Sequence, residues 1–135
     1  MSFEELPHTA DIKIRAHAQT LDALFSEVLN SLMQIMYGKI RSDGITREIH
    51  LQSSNRESLL TDFLSEVLFL SEVDGLVFSH AEVTIKRLSL SAVLHGELFD
   101  RKRHSGGTEV KGISYTGLKV RKEANGYMVD IVFDV

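Results

Sequence analysis

The side chains best suited to chemistry stand at the two ends of the sequence. Near the start is His8-Thr9-Ala10-Asp11-Ile12, and at the finish Ile131-Val132-Phe133-Asp134-Val135. Each sets one Asp among strand-forming residues, and Asp134 neighbours the terminal carboxylate of Val135. If the ends meet, three hard oxygen groups converge. Such charges repel unless a cation or a partner's donors neutralise them. The plainer alternative is two solvated strand ends, and the spacing alone leaves both open.

Other candidates carry weaker signals. Asp62 and Glu66 are four residues apart on a helical pattern, so they share a face; that suits a metal or an acid/base pair, and equally a solvated acidic face. His80 and Glu82 share a face of one strand, and His95 and Glu97 a face of the next, which suits cross-strand polar pairs on the wet side of a sheet. The stretch Asp100-Arg101-Lys102-Arg103-His104-Ser105-Gly106-Gly107 is a basic, glycine-containing loop whose backbone can approach a ligand closely. It lacks the Lys-Ser/Thr and strand-to-helix setting of a phosphate loop. No GxSxG or HExxH motif supports a stand-alone metal-dependent hydrolase.

Elements must hold these groups in place. Ile12, Ile14, Ala16 and Ala18 alternate with Lys13, Arg15, His17 and Gln19, a strand with one buried face and His17 in water. Thr20 caps a helix running to Gly38, with Leu24, Phe25, Val28, Leu29, Leu32 and Met36 on its stripe and Glu27 outside it. A short strand spans 45–51, its imperfect pattern placing it near an edge. Ser54 and Glu57 fit a capping box for a second helix, which Asp74-Gly75 ends. Four strands follow. Parity breaks at Gly117, which predicts a β-bulge and a second small sheet. Asn125-Gly126 reads as a hairpin turn. Tyr127, Val129, Ile131 and Phe133 point inward, so Asp134 faces out. The expected fold is α+β, a single domain over residues 1–135 with two amphipathic helices on a mainly antiparallel sheet.

Composition narrows the function. The 135 residues suit one core, with 43% apolar and 25% charged residues. A net charge of −4 argues against non-specific nucleic-acid binding. With no Cys, disulfides and thiolate metal sites are excluded, and the expectation is a cytoplasmic protein. The N-terminus lacks a signal-peptide pattern, and no apolar run is long enough to span a bilayer.

His8-Thr9-Ala10-Asp11, the stretch Phe63-Leu64-Ser65-Glu66-Val67-Leu68-Phe69-Leu70, Glu109-Val110-Lys111-Gly112-Ile113-Ser114-Tyr115 and the Phe133-Asp134-Val135 ending together resemble the archease family along nearly the whole chain. The resemblance implies a protein activator, not itself an enzyme, of the GTP-dependent RtcB-type RNA ligase that joins tRNA halves in splicing. It would promote ligase guanylylation and repeated turnover. It also implies a divalent cation (Ca²⁺, Mg²⁺ or Mn²⁺) held by Asp11, Asp134 and Val135. Lys111, with Arg101, Arg103 and His104, then becomes a candidate contact to nucleotide phosphates or ligase carboxylates, and Glu66 a support from the second helix. Gly112 replaces the family's usual Ala, and Thr116 stands where His is common. The competing readings are a chaperone-like protein acting on a nucleic-acid-processing partner, or a hydrolase.

Overall fold

The computed structural model describes residues 1–6 and 11–135, so His8, Thr9 and Ala10 of the N-terminal motif lie outside the described residues. The chain runs β1 (Ser2–Leu6), β2 (Ile12–Ala18), α1 (Leu21–Tyr37), β3 (Ile45–Gln52), α2 (Arg56–Asp74), β4 (Leu76–Lys86), β5 (Ser89–Leu98), α3 (Arg101–His104), β6 (Gly112–Glu123) and β7 (Gly126–Asp134). The strands form two antiparallel sheets, ordered β1-β2-β7-β6 and β3-β5-β4. The expected α+β class stands, and the sheets divide at the crossover between β5 and β6. Gly117 lies within one sheet, at the bulge where the β6/β7 register shifts between Ser114 and Lys119. The sequence reading omitted β1. It is a short edge strand in which Phe3 packs against the core while Glu4 and Glu5 stay exposed.

Thr20 starts α1, its hydroxyl accepting from the Ala23 amide at 3.1 Å. This helix lies against β2 of one sheet and β4 of the other, so it buries residues around most of its circumference. Glu27 is therefore 5% exposed, contrary to its expected place in water, and accepts from Asn30 Nδ2 at 3.1 Å. Along α2 the buried stripe runs Leu59, Leu60, Phe63, Leu64, Val67, Leu68 and Ser71. Phe25 and Phe63 meet with ring centroids 5.9 Å apart, joining the two helices. Tyr37 and Ser71 share a 2.8 Å hydrogen bond that ties their later turns together.

The α2 cap differs from the expected box. Asn55, not Ser54, is the cap, its Oδ1 accepting from the Ser58 amide at 2.8 Å. Glu57 does not reach back; its Oε2 accepts from the Val120 amide of β6 at 2.8 Å. A side chain expected to finish a helix thus fastens that helix to a sheet. At the final hairpin Glu123 pairs with Gly126, leaving Ala124 and Asn125 at the tip, and Gly126 takes φ +145°. A Cβ there would stand 2.2 Å from the Ala18 carbonyl oxygen.

The crossover from β5 to β6 is pinned against α1. Gly107 runs so close that a Cβ would lie 2.1 Å from the Met36 carbonyl oxygen. Next to it the Thr108 amide donates to Ile35 O at 3.0 Å, and Val110 is fully buried. The Lys111 amide then donates to Asp134 O at 2.7 Å. No helix among the described residues is long and apolar enough to cross a membrane.

Candidate functional site

The β2/β7 ladder begins with Ile12 opposite Phe133. One more step of that antiparallel register sets Asp11 across from Asp134, and β6 places Gly112 on the other side of Asp134. Ile14, Ala16, Ile131 and Phe133 are buried, so the intervening positions face outward. Asp134 therefore lies on the outer face of the four-stranded sheet, and Asp11, a bend residue just before β2, continues the same row by extension of the ladder. Directly opposed residues in antiparallel strands carry their side chains on the same face. Asp134 is exposed, Asp11 half-buried, and Val135 follows at 40% exposure. A Cβ on residue 112 would come to 3.7 Å from Asp134 Oδ2, so glycine leaves that flank of the carboxylate uncovered.

A basic cleft adjoins the row, and the sequence reading did not single it out. Its volume is about 350 Å³, and Lys13, Lys119, Arg121, Ser114, Asp130 and Val132 are among its lining. Asp130 is already engaged by Arg15, through Nε at 2.7 Å and a second guanidinium nitrogen at 3.0 Å. The hydrogen bond from Arg15 holds the Asp130 carboxyl below the usual range; burial opposes, and the charges of Arg15, Lys13 and Arg121 assist. Lys13, Lys119 and Arg121 add three further positive charges to the cleft. The signal was present as basic residues at every second position, Lys13-Arg15 on β2 and Lys119-Arg121 on β6.

The expected basic loop is built differently. Residues 101–104 form a helical turn capped by Asp100, whose Oδ1 accepts from the Lys102 amide at 2.9 Å. His104 is 1% exposed, set against the rings of Tyr37 and Phe99. Its Nδ1 accepts from the Asp100 amide at 2.9 Å, which makes Nε2 the donor to Glu97 at 3.1 Å. Arg103 is occupied by Glu97 and by Ser42 Oγ. Burial alone would raise the Glu97 carboxyl; donors from Arg103, the Ser42 amide and His104 together hold it below the ordinary value. His104 is therefore closed to a phosphate or a partner, and the Arg103 guanidinium is engaged within the chain while a third of its side chain stays exposed. Arg101 remains exposed. Glu66 is half-buried on α2, and Asp62 accepts from Ser53 Oγ at 2.7 Å.

The outer face of the three-stranded sheet carries the expected cross-strand polar pairing, except at Glu97. A register shift at Ser79 sets His80 opposite His95, and Glu82 approaches His95, while Glu97 belongs to the Arg103 network.

Fold and site define a class: a two-sheet α+β domain with helices packed on the sheets, one sheet ending in a carboxylate row beside a basic cleft. The sequence model of the Archease protein family matches residues 3–135, and the chain belongs to that family. It is similar to the protein archease of Methanosarcina barkeri, 37% identical over 98% of this chain and 95% of the relative. To the protein archease of Pyrococcus abyssi the identity is 34%, covering 98% of both chains. The fold matches the solution structure of Methanobacterium thermoautotrophicum protein 1598 with a TM-score of 0.79, 22% identity and 98% of each chain covered. It also matches a Thermotoga maritima archease, described as a possible chaperone, with a TM-score of 0.68, 20% identity and coverage of 98% and 96%. At these identities the two structures bear on the fold alone.

Proposed function

We propose that this chain is a metal-dependent activator of the GTP-dependent RtcB-type RNA ligase of tRNA splicing, acting in the cytoplasm and without turnover of its own. Family membership supports this reading, and the observation that carries it is the Asp11–Asp134–Gly112 row. Two carboxylates and the main-chain oxygen of Val135 are hard donors of the kind Ca²⁺, Mg²⁺ or Mn²⁺ prefers. When bound, such a cation would neutralise phosphate charge and orient the attacking group during nucleotidyl transfer. Asp11, just before β2, and Asp134, at the end of β7, would hold it. Gly112 keeps the approach open for a partner's phosphates. Lys111 and the cleft residues Lys13, Lys119 and Arg121 attract GTP phosphates or an acidic ligase surface, a task closed to the buried His104.

The test is guanylylation of purified ligase with GTP and a defined divalent metal, with and without this chain. Asp11→Ala is expected to abolish stimulation while leaving the circular dichroism spectrum and melting temperature near the parent's. Full stimulation by a folded Asp11→Ala protein contradicts the reading.

A second reading has its own observation. Phe69 and Val73, one turn apart on α2, are 57% and 63% exposed, although both helices were expected to present polar outer faces. Exposed apolar groups so placed fit a protein that holds another chain. Suppressed aggregation of the ligase that survives Asp11→Ala but is lost in Phe69→Ser/Val73→Ser would favour it.

A further inference from the structure

The outer face of the three-stranded sheet holds a second constellation, separate from the carboxylate row. Ser79 is the extra residue of a β-bulge in β4: Phe78 pairs with Gly96 and His80 with His95, so Ser79 has no partner across the ladder. Bulges re-aim neighbouring side chains. Here the bulge lays the His80 ring on the His95 ring, centroids 4.5 Å apart and planes within 6°. Glu82, two residues on and therefore on the same face, brings Oε1 to 3.2 Å from His95 Nε2. That nitrogen is shielded from solvent yet has no aligned hydrogen bond. A buried polar atom whose one near partner is misaligned calls for a physical reason.

We propose that His80, His95 and Glu82 form a binding site for a divalent transition ion of the Zn²⁺ type. One ligand atom from each lies within 4.8 Å of the others, the one such group of three among the described residues. Tetrahedral coordination at Zn–N and Zn–O distances near 2.1 Å places donors roughly 3.4 Å apart. The trio must contract by the difference, and the His80 ring must swing out of its stack on His95 so that both in-plane lone pairs meet at one ion. Glu82 and His80 have the freedom for it, with side chains 70% and 47% exposed. His95, 22% exposed, is the fixed corner.

The surroundings fit a ligand histidine. His80 Nδ1 lies 3.0 Å from Ser79 Oγ, whose hydroxyl is taken up by the Asp43 carboxylate. Asp43 Oδ1 is itself 3.4 Å from the same ring nitrogen. Nδ1 thus keeps its proton and Nε2 offers its lone pair, the arrangement that carboxylate partners give metal-bound imidazoles. Two imidazoles and one carboxylate select a borderline transition ion over Ca²⁺ or Mg²⁺, so the two sites differ in metal preference. A fourth position remains, beside a cleft of about 260 Å³ lined by Glu48, His50, Glu82 and Ser91.

The probes are Zn²⁺ by titration calorimetry and Co²⁺ by its visible d–d absorption, on the full chain. One equivalent is expected to bind with the d–d band of a low-coordinate site. His80→Ala/His95→Ala should weaken that binding by about a hundredfold, the upper end of what loss of even a supporting partner costs. Glu82→Gln, too exposed to disturb folding, should weaken it and alter the band. Asp11→Ala/Asp134→Asn should leave both unchanged, which separates this site from the carboxylate row and makes its failure distinguishable from failure of the ligase reading. The proposal is overturned if the parent binds neither ion, if the double histidine variant binds with parental affinity, or if binding is lost only in the Asp11/Asp134 variant.

Discussion

Replacing Glu97 by Ala tests how the crossover segment is held beside the carboxylate row. The side chain is 16% exposed and satisfies three donors: Arg103, the Ser42 amide at 2.6 Å and His104 Nε2 at 3.1 Å. These losses are unequal. Arg103 is 33% exposed and can rehydrate, which puts its share nearer the roughly 0–1 kcal/mol of a surface pair. Ser42 is exposed and can recruit water. The His104 side chain has no solvent access, so its stranded donor costs about 1–3 kcal/mol. A total of about 2–3 kcal/mol follows, below the roughly 3–5 kcal/mol for breaking a fully buried pair. For 135 residues that is a fall in Tm of roughly 7–11 °C. The pH dependence is a second handle. The Glu97 carboxyl sits lower in the folded chain than when unfolded, so its contribution is fully present above the unfolded value of about 4.3. It is lost as pH falls through the folded value. Calorimetric melts from neutral pH down to the carboxylate range should show the parent losing stability faster than Glu97→Gln. A Tm within about 2 °C of the parent for Glu97→Ala, or parallel pH profiles, would refute this account of the network.

Other expectations concern local geometry. Asn55→Ala should cost about 1 kcal/mol in urea denaturation and Ser54→Ala close to none, the reverse of what a Ser54 capping box requires. Phe63→Ala, removing a fully buried ring from the helix–helix contact, should cost about 3–5 kcal/mol by the same assay. Gly126→Ala combines a positive φ with a 2.2 Å approach to Ala18 O, and should lower the denaturation midpoint by more than Asn125→Ala does. Phe69→Ser should leave stability within about 0.5 kcal/mol of the parent while reducing binding of a hydrophobic dye, since its ring already faces water.

Periodicity made most elements legible, because a buried face repeats and leaves its mark at each turn or pleat. It failed where a side chain's fate depends on a partner distant in sequence. Glu27 looks like a surface residue, but α1 packs against strands of both sheets and buries it. Glu57 sits where a capping box wants it, but the Val120 amide competes for its carboxylate. The bulge at Gly117 was readable from its parity break; the one at Ser79 was not, since Val77 and Ala81 keep the apolar alternation going across it. His104 carries the composition of a basic loop, yet the pocket made by Tyr37, Phe99 and Glu97 takes it inside. Both ends of the acidic row could be named in advance, whereas Lys13, Lys119 and Arg121 gather only once β6 and β2 flank β7.

The pairing of β2 with β7 has a consequence for biosynthesis. Arg15 must wait for Asp130, a partner 115 positions later, before its strand gains a second neighbour. The three-stranded sheet, made of β3, β4 and β5, has all its strands by Leu98 and can form while the ribosome is still elongating. Until β7 emerges, β2 keeps one edge unpaired. Two acids far apart in the sequence come side by side only when β7 docks on β2, so a chain that lacks β7 cannot display them together.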